Sequence, residues 1–205
     1  MKKIVKYTLA LIVVVFIAYN SVYFRKLSDV KAAAAKTFNP ESFAKTYLTK
    51  KLLPASAHAP DADVLIGQLK TNPVKAFKTD AHSLDIGNTR FFMVKGQGTI
   101  TNIDESDVYI ITPGKQNLKI ATEYIFGNAL RDAPGIIGVN DFTNSMDLNN
   151  VSAEINKLVR NEVLPPFKSK VKKGDSVAFA GAFELNQEHI NLNNIEIIPV
   201  TLIIK

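Results

Sequence analysis

The chain contains no cysteine. That excludes disulfides, thiol nucleophiles, thiolate metal sites and attachment of a lipid to cysteine. Histidine is scarce as well. His58, His82 and His189 are the three, and none stands three or four residues from another, so a helical metal pair is excluded. No serine occupies a Gly-x-Ser-x-Gly elbow. Gly96-Gln97-Gly98 lacks the third glycine and the following helix of a phosphate loop. There is no internal repeat and no low-complexity tract. A charged body is missing too, despite a net charge of +6. Lys2, Lys3, Lys6, Arg25 and Lys26 fall in the first 26 positions with no acid among them, so the remainder is close to neutral. A neutral body cannot supply the counterion release that dominates nucleic-acid affinity, and no nucleic-acid partner is expected.

What the chain does have is an apolar run from Tyr7 to Phe24. As a helix it would reach about 27 Å, close to a bilayer core of about 30 Å. Tyr7, Tyr19 and Tyr23 near its ends suit the interfacial belt. A cleaved signal peptide needs a small-x-small site just after the run, where Tyr19, Asn20, Val22, Tyr23 and Phe24 are bulky. Ala32 to Ala35 lie well beyond it. The expectation is therefore a signal anchor over residues 1–26, a single membrane pass through residues 7–24. The excess of lysine before the run directs the body to the outside. Cleavage, or burial as a soluble helix, are the alternatives.

Beyond the anchor, Lys31-Ala-Ala-Ala-Ala-Lys36 suggests a helical stalk over 27–37. Asn39-Pro40 reads as a helix start, with Phe43, Tyr47 and Leu48 following and Leu53-Pro54 as a stop. Asp61 can cap a second helix bearing Val64, Leu65 and Leu69, and Asn72-Pro73 can start a third. Residues 38–80 thus read as a small helical subdomain. The apolar period changes near Arg90. Strands are expected around 91–103, 108–111, 118–126, 177–183 and 195–204. A helix over 150–164, capped by Asn150 and stopped by Leu164-Pro165-Pro166, separates the third strand from the fourth. Three strands, a helix and two strands is the order of an OB-like five-stranded barrel, here over 88–205. Gly181 is expected where a strand must bend to close it.

The stretch Gly127-Asn128-Ala129-Leu130-Arg131-Asp132-Ala133, then Asp141-Phe142-Thr143-Asn144, Gly181-Ala182-Phe183 and Pro199-Val200, resembles a bacterial family of predicted periplasmic lipoproteins of unknown function. Phe43, Tyr47, Leu53-Pro54 and Val94-Lys95-Gly96-Gln97-Gly98 add to the likeness, which runs over about 38–202. The resemblance implies an envelope location, a helical segment with an OB-like β domain, and gene neighbourhood with sugar ABC transporters. It brings no activity. Family members often carry a lipobox cysteine, which this chain lacks, so the apolar helix would take over the tethering.

Asn128, Arg131, Asp132, Asp141 and Asn144 form the best polar constellation. Arginine offers a planar donor fork for carboxylates, phosphates or sugar hydroxyls, and Asp and Asn offer the complementary groups. These five are the candidate contact residues for a ligand or partner, a transporter component or a carbohydrate. The competing reading is structural, with the same residues capping and pinning a long connection. Phe91, Phe92, Tyr109 and Tyr124 could stack a ligand on a barrel face, although core and rim positions account for them equally. His58, Asp61 and Asp63 could form a weak metal site or simply a solvated linker. No catalytic residue, cofactor or metal is expected. The chain reads as an extracytoplasmic, membrane-anchored accessory or binding protein and not an enzyme. Alternatives are a structural envelope protein, or a carbohydrate-acting enzyme with two carboxylates facing an open cleft.

Overall fold

The computed structural model describes residues 2–21, 26, 29, 38–84 and 87–205. They fall into two units, Met1–Asn39 and Pro40–Lys205. In the first, α1 runs over Lys2–Ser21. Residues 22–24 of the apolar run, and the expected stalk over 27–37 apart from Asp29, lie outside the described residues. Among the described residues no helix is long and apolar enough to cross a membrane, so the expected spanning helix over 7–24 is not supported. Lys2, Lys3 and Lys6 occupy the first turns of α1, which is described as far as Ser21.

In the second unit the chain makes helices α2 (Pro40–Tyr47), α3 (Leu53–Ala57), α4 (Ala62–Thr71) and α5 (Pro73–Asp80). Strands β1 (Ala81–His82), β2 (Thr89–Ile103), β3 (Asp107–Ile111) and β4 (Asn117–Ala121) follow. After β4 come a short helix α6 (Ala129–Asp132) and a long helix α7 (Ser145–Leu158) continued by α8 (Leu164–Lys168). Strands β5 (Ser176–Asn186) and β6 (Glu196–Ile204) end the chain. Strand pairing runs β2–β3–β4–β6–β5 and returns to β2, which closes a five-stranded barrel. Of these five barrel pairings among the described residues, β4–β6 alone is parallel. This is the OB order expected from the sequence, and β1 adds a short flap on β2.

Phe92, Val94, Ile100, Val108, Ile110, Ile120, Phe179 and Phe183 fill the barrel with alternate inward residues. Phe92 and Phe183 stack with centroids 5.2 Å apart. Ala62, Leu65, Ile66 and Leu69 of α4 join the same core. Val64, expected on that face, is exposed instead, and Ile66 takes its place. Asp61 caps α4 through its own Oδ1, which accepts the Asp63 N–H at 2.9 Å. Asp63 in turn accepts the Thr112 hydroxyl and, at 2.8 Å, the Gly114 N–H, tying the helix to the β3–β4 turn. His58 Nδ1 meets the Pro54 carbonyl at 2.8 Å. These three residues therefore serve local structure.

Neither Leu-Pro pair stops its helix as the sequence suggests. A π turn over Leu48–Leu52 links α2 to α3, and a second over Val159–Val163 links α7 to α8. The Leu53 N–H reaches the Leu48 carbonyl, and the Leu164 N–H reaches that of Val159. In an α-helix a proline ring collides with the carbonyl four residues back. Widening the preceding turn lets the rod pass through Pro54, Pro165 and Pro166. The long helix also starts earlier than expected. Its cap is Asn144, whose Oδ1 accepts the Asp147 N–H at 2.9 Å, and not Asn150.

Candidate functional site

Arg131 and Asp132 are 1% and 2% exposed. The guanidinium donates twice to the neighbouring carboxylate, from Nε at 2.5 Å and from Nη2 at 3.0 Å. Its Nη1 makes a longer contact, 3.4 Å, with the Leu148 carbonyl of α7. From α2, the Tyr47 hydroxyl donates to the Arg131 carbonyl at 3.0 Å. Burial, then the Asp132 charge, pushes the Tyr47 hydroxyl pKa up, with Arg131 pulling against it. A buried ion pair thus locks α6 between α2 and α7. Asp141 and Asn144 do not join this pair. Both are exposed. Asp141 accepts the Gly138 N–H at 2.7 Å, and Asn144 caps α7. Asn128 lies nearby, where its Oδ1 accepts the Ser152 hydroxyl at 3.0 Å.

The residues sequence reasoning missed lie on α7 and its continuation. Ser152, Asn156 and Arg160 recur every four residues and so share one helix face. Ser152 grips Asn128, and Asn156 donates to the Gly127 carbonyl at 2.9 Å. Arg160 donates to the Ile125 carbonyl. Lys168 pairs with Glu123 at 2.7 Å. Four side chains therefore pin residues 123–128. The spacing was present in the sequence, but polar residues on an amphipathic helix read by default as its solvent face.

Pinned in this way, the segment alternates. Ile125 is buried, whereas Tyr124 and Phe126 are 64% and 71% exposed. Gly127 follows at φ +82°, a left-handed turn that glycine adopts without a steric penalty. Together Tyr124, Phe126, Asn128, Glu184, Glu196 and Ile198 line a cleft of about 200 Å³. Asn128 is the one of the five expected contact residues that lines it. Glu196 is raised above the ordinary carboxylate pKa. Partial removal from water is the first cause, then the charges of Asp107 and Glu184, with Lys119 opposing. Asp107 is raised likewise, chiefly by desolvation. Lys119 sits over the Tyr109 ring, 5.6 Å from its centroid, and the Tyr109 hydroxyl donates to Asp104 at 2.8 Å.

A closed OB-type barrel wrapped by helices, with an aromatic and acidic cleft between the segment after β4 and strands β5 and β6, defines the class of this protein. Its sequence matches the model of the DUF2291 family, described as predicted periplasmic lipoproteins, over residues 12–203, and the chain belongs to that family. The fold is shared with a crystal structure of an OB-fold protein from Thermotoga maritima. That protein is 28% identical, with a TM-score of 0.72 over 82% of this chain and 99% of the other. No curated protein matches the chain. Family membership carries an extracytoplasmic, envelope-associated location and no defined activity.

Proposed function

We propose that the chain is a membrane-associated, non-enzymatic binding module that holds a small ligand in the cleft and serves a solute transporter. The supporting observation is the pinned segment 123–128. Two large aromatic faces left in water cost hydrophobic free energy, and four side-chain tethers keep them there. Such rigid display suits a ligand that covers the rings and hydrogen-bonds to Asn128, Glu184 and Glu196, as a carbohydrate would. The volume is below the about 300–1,000 Å³ of drug-sized sites, which favours a single sugar or a molecule of that size.

Titration of the full-length chain in detergent with a panel of monosaccharides and small amines tests this reading. At least one compound is expected to bind. Tyr124→Ala with Phe126→Ala should weaken it about tenfold, because stacking contributes about 1–2 kcal/mol, while the unfolding midpoint stays put. Unchanged affinity in the double variant, or silence from the whole panel, would shift the weight to a structural role. That second reading rests on the bonds of Arg131, Asp132, Asp141 and Asn144, which all turn inward on the protein itself.

The apolar side chains of α1 support the membrane association. Leu11 and Val15 are 60% or more exposed, so the helix displays apolar side chains. In a flotation gradient the full-length chain should rise with lipid vesicles. A chain that stays at the bottom of the gradient would remove α1 as the tether.

A further inference from the structure

We propose that the cleft takes an organic cation, a small amine or quaternary ammonium compound. This rests on the reading of the cleft as the binding site and names its ligand class. Two features of the lining act together. Tyr124 and Phe126 offer exposed ring faces, which attract cations through their quadrupole. Glu184 and Glu196 supply two carboxylates, and among the described residues no lysine, arginine or histidine lines the cleft.

The surroundings reinforce that sign. Asp107 of β3 and Glu184 of β5 both act on Glu196 of β6, Asp104 acts on Asp107, and Lys119 of β4 opposes at both Asp107 and Glu196. That ammonium already lies over the Tyr109 ring. An anion would enter against the two carboxylates of the lining. A neutral sugar would leave their repulsion in place. A ligand cation would relieve it while stacking on the rings. Glu196 is raised first by partial removal from water and then by the charges of Asp107 and Glu184, and binding a cation beside it would lower it.

The experiment is calorimetric titration of the full-length chain with matched pairs. The pairs are choline against its uncharged tert-butyl analogue, and glucosamine against glucose. The charged member of a pair should bind about tenfold tighter than the neutral one. Glu184→Gln and Glu196→Gln should each erode that preference with far-UV circular dichroism unchanged, since both side chains are exposed. Affinity for the cation should rise with pH above the 4.5 of an ordinary glutamate, as Glu196 gives up its proton. Equal binding of neutral and charged members, indifferent to both glutamine variants, would overturn the cation assignment and keep the cleft. Binding of no member would overturn both.

Discussion

Asp132→Ala is expected to lower the unfolding free energy by about 3–5 kcal/mol, the usual cost of leaving a buried charge without its partner. Arg131 is 1% exposed, and both strong bonds of its guanidinium go to Asp132. The Leu148 carbonyl at 3.4 Å is too long a contact to replace them. The strain should spread. Tyr47 holds the Arg131 backbone, and Asn128, whose carbonyl accepts the Arg131 and Asp132 N–H groups, lines the cleft. Urea unfolding followed by far-UV circular dichroism measures the loss, since the chain has no tryptophan. The double variant Arg131→Met with Asp132→Leu is the informative partner. Replacing a buried ion pair by apolar residues is often neutral, so it should recover most of the loss. A single variant that costs less than about 1 kcal/mol would mean the charge escapes to water.

Gly181→Ala should destabilise by about 3 kcal/mol or more, at the upper end of overpacking costs. The pairing of β5 with β6 shifts register between Ala180 and Gly181, which lies opposite Pro199. A methyl group there would meet the Ile198 carbonyl oxygen, and would come within 2.8 Å of Ile197 Cγ2 and 2.9 Å of Pro199 Cα. Two of those atoms are backbone of the strand that closes the barrel, so neither can rotate away. Pro199 has no N–H for the ladder, and the irregularity absorbs that loss. Gly67→Ala is the contrast. It lies inside α4 with nothing within 4 Å of a new methyl, so it should gain about 0.5–1 kcal/mol. If Gly181→Ala proved as harmless, the close approach of β6 would not be what closes the barrel.

The candidate site was only partly legible. Arg131-Asp132 stood out as a polar pair in an apolar context, yet adjacent residues give no measure of burial. Their isolation from water comes from α2 and α7, which lie 84 and 17 residues away through Tyr47 and Leu148. Asp141 and Asn144 looked like members of one cluster because they are close in sequence. Each instead satisfies the backbone a few residues away, the common use of Asp and Asn at turns and helix starts. Glu184 and Glu196 drew no notice, as outward polar positions of alternating strands. They meet because β5 and β6 are neighbours, and they meet Tyr124 and Phe126 because β4 pairs with β6 in parallel.

By itself the sequence determined the elements whose cause is local. The strands follow from period-two alternation, the caps Asp61 and Asn72 from side chains reaching their own helix, and the bend from a glycine in β5. Their order was enough for the barrel topology, because few closed sheets accept three strands, a helix and two more. The tertiary structure alone decided what depends on partners distant in sequence. It carried both helices through their prolines by widening the preceding turn. It buried an ion pair, and it turned one face of α7 into the clamp that holds two aromatic rings in water. Those outcomes rest on burial and on long-range hydrogen bonds, and neither is a property of neighbouring residues.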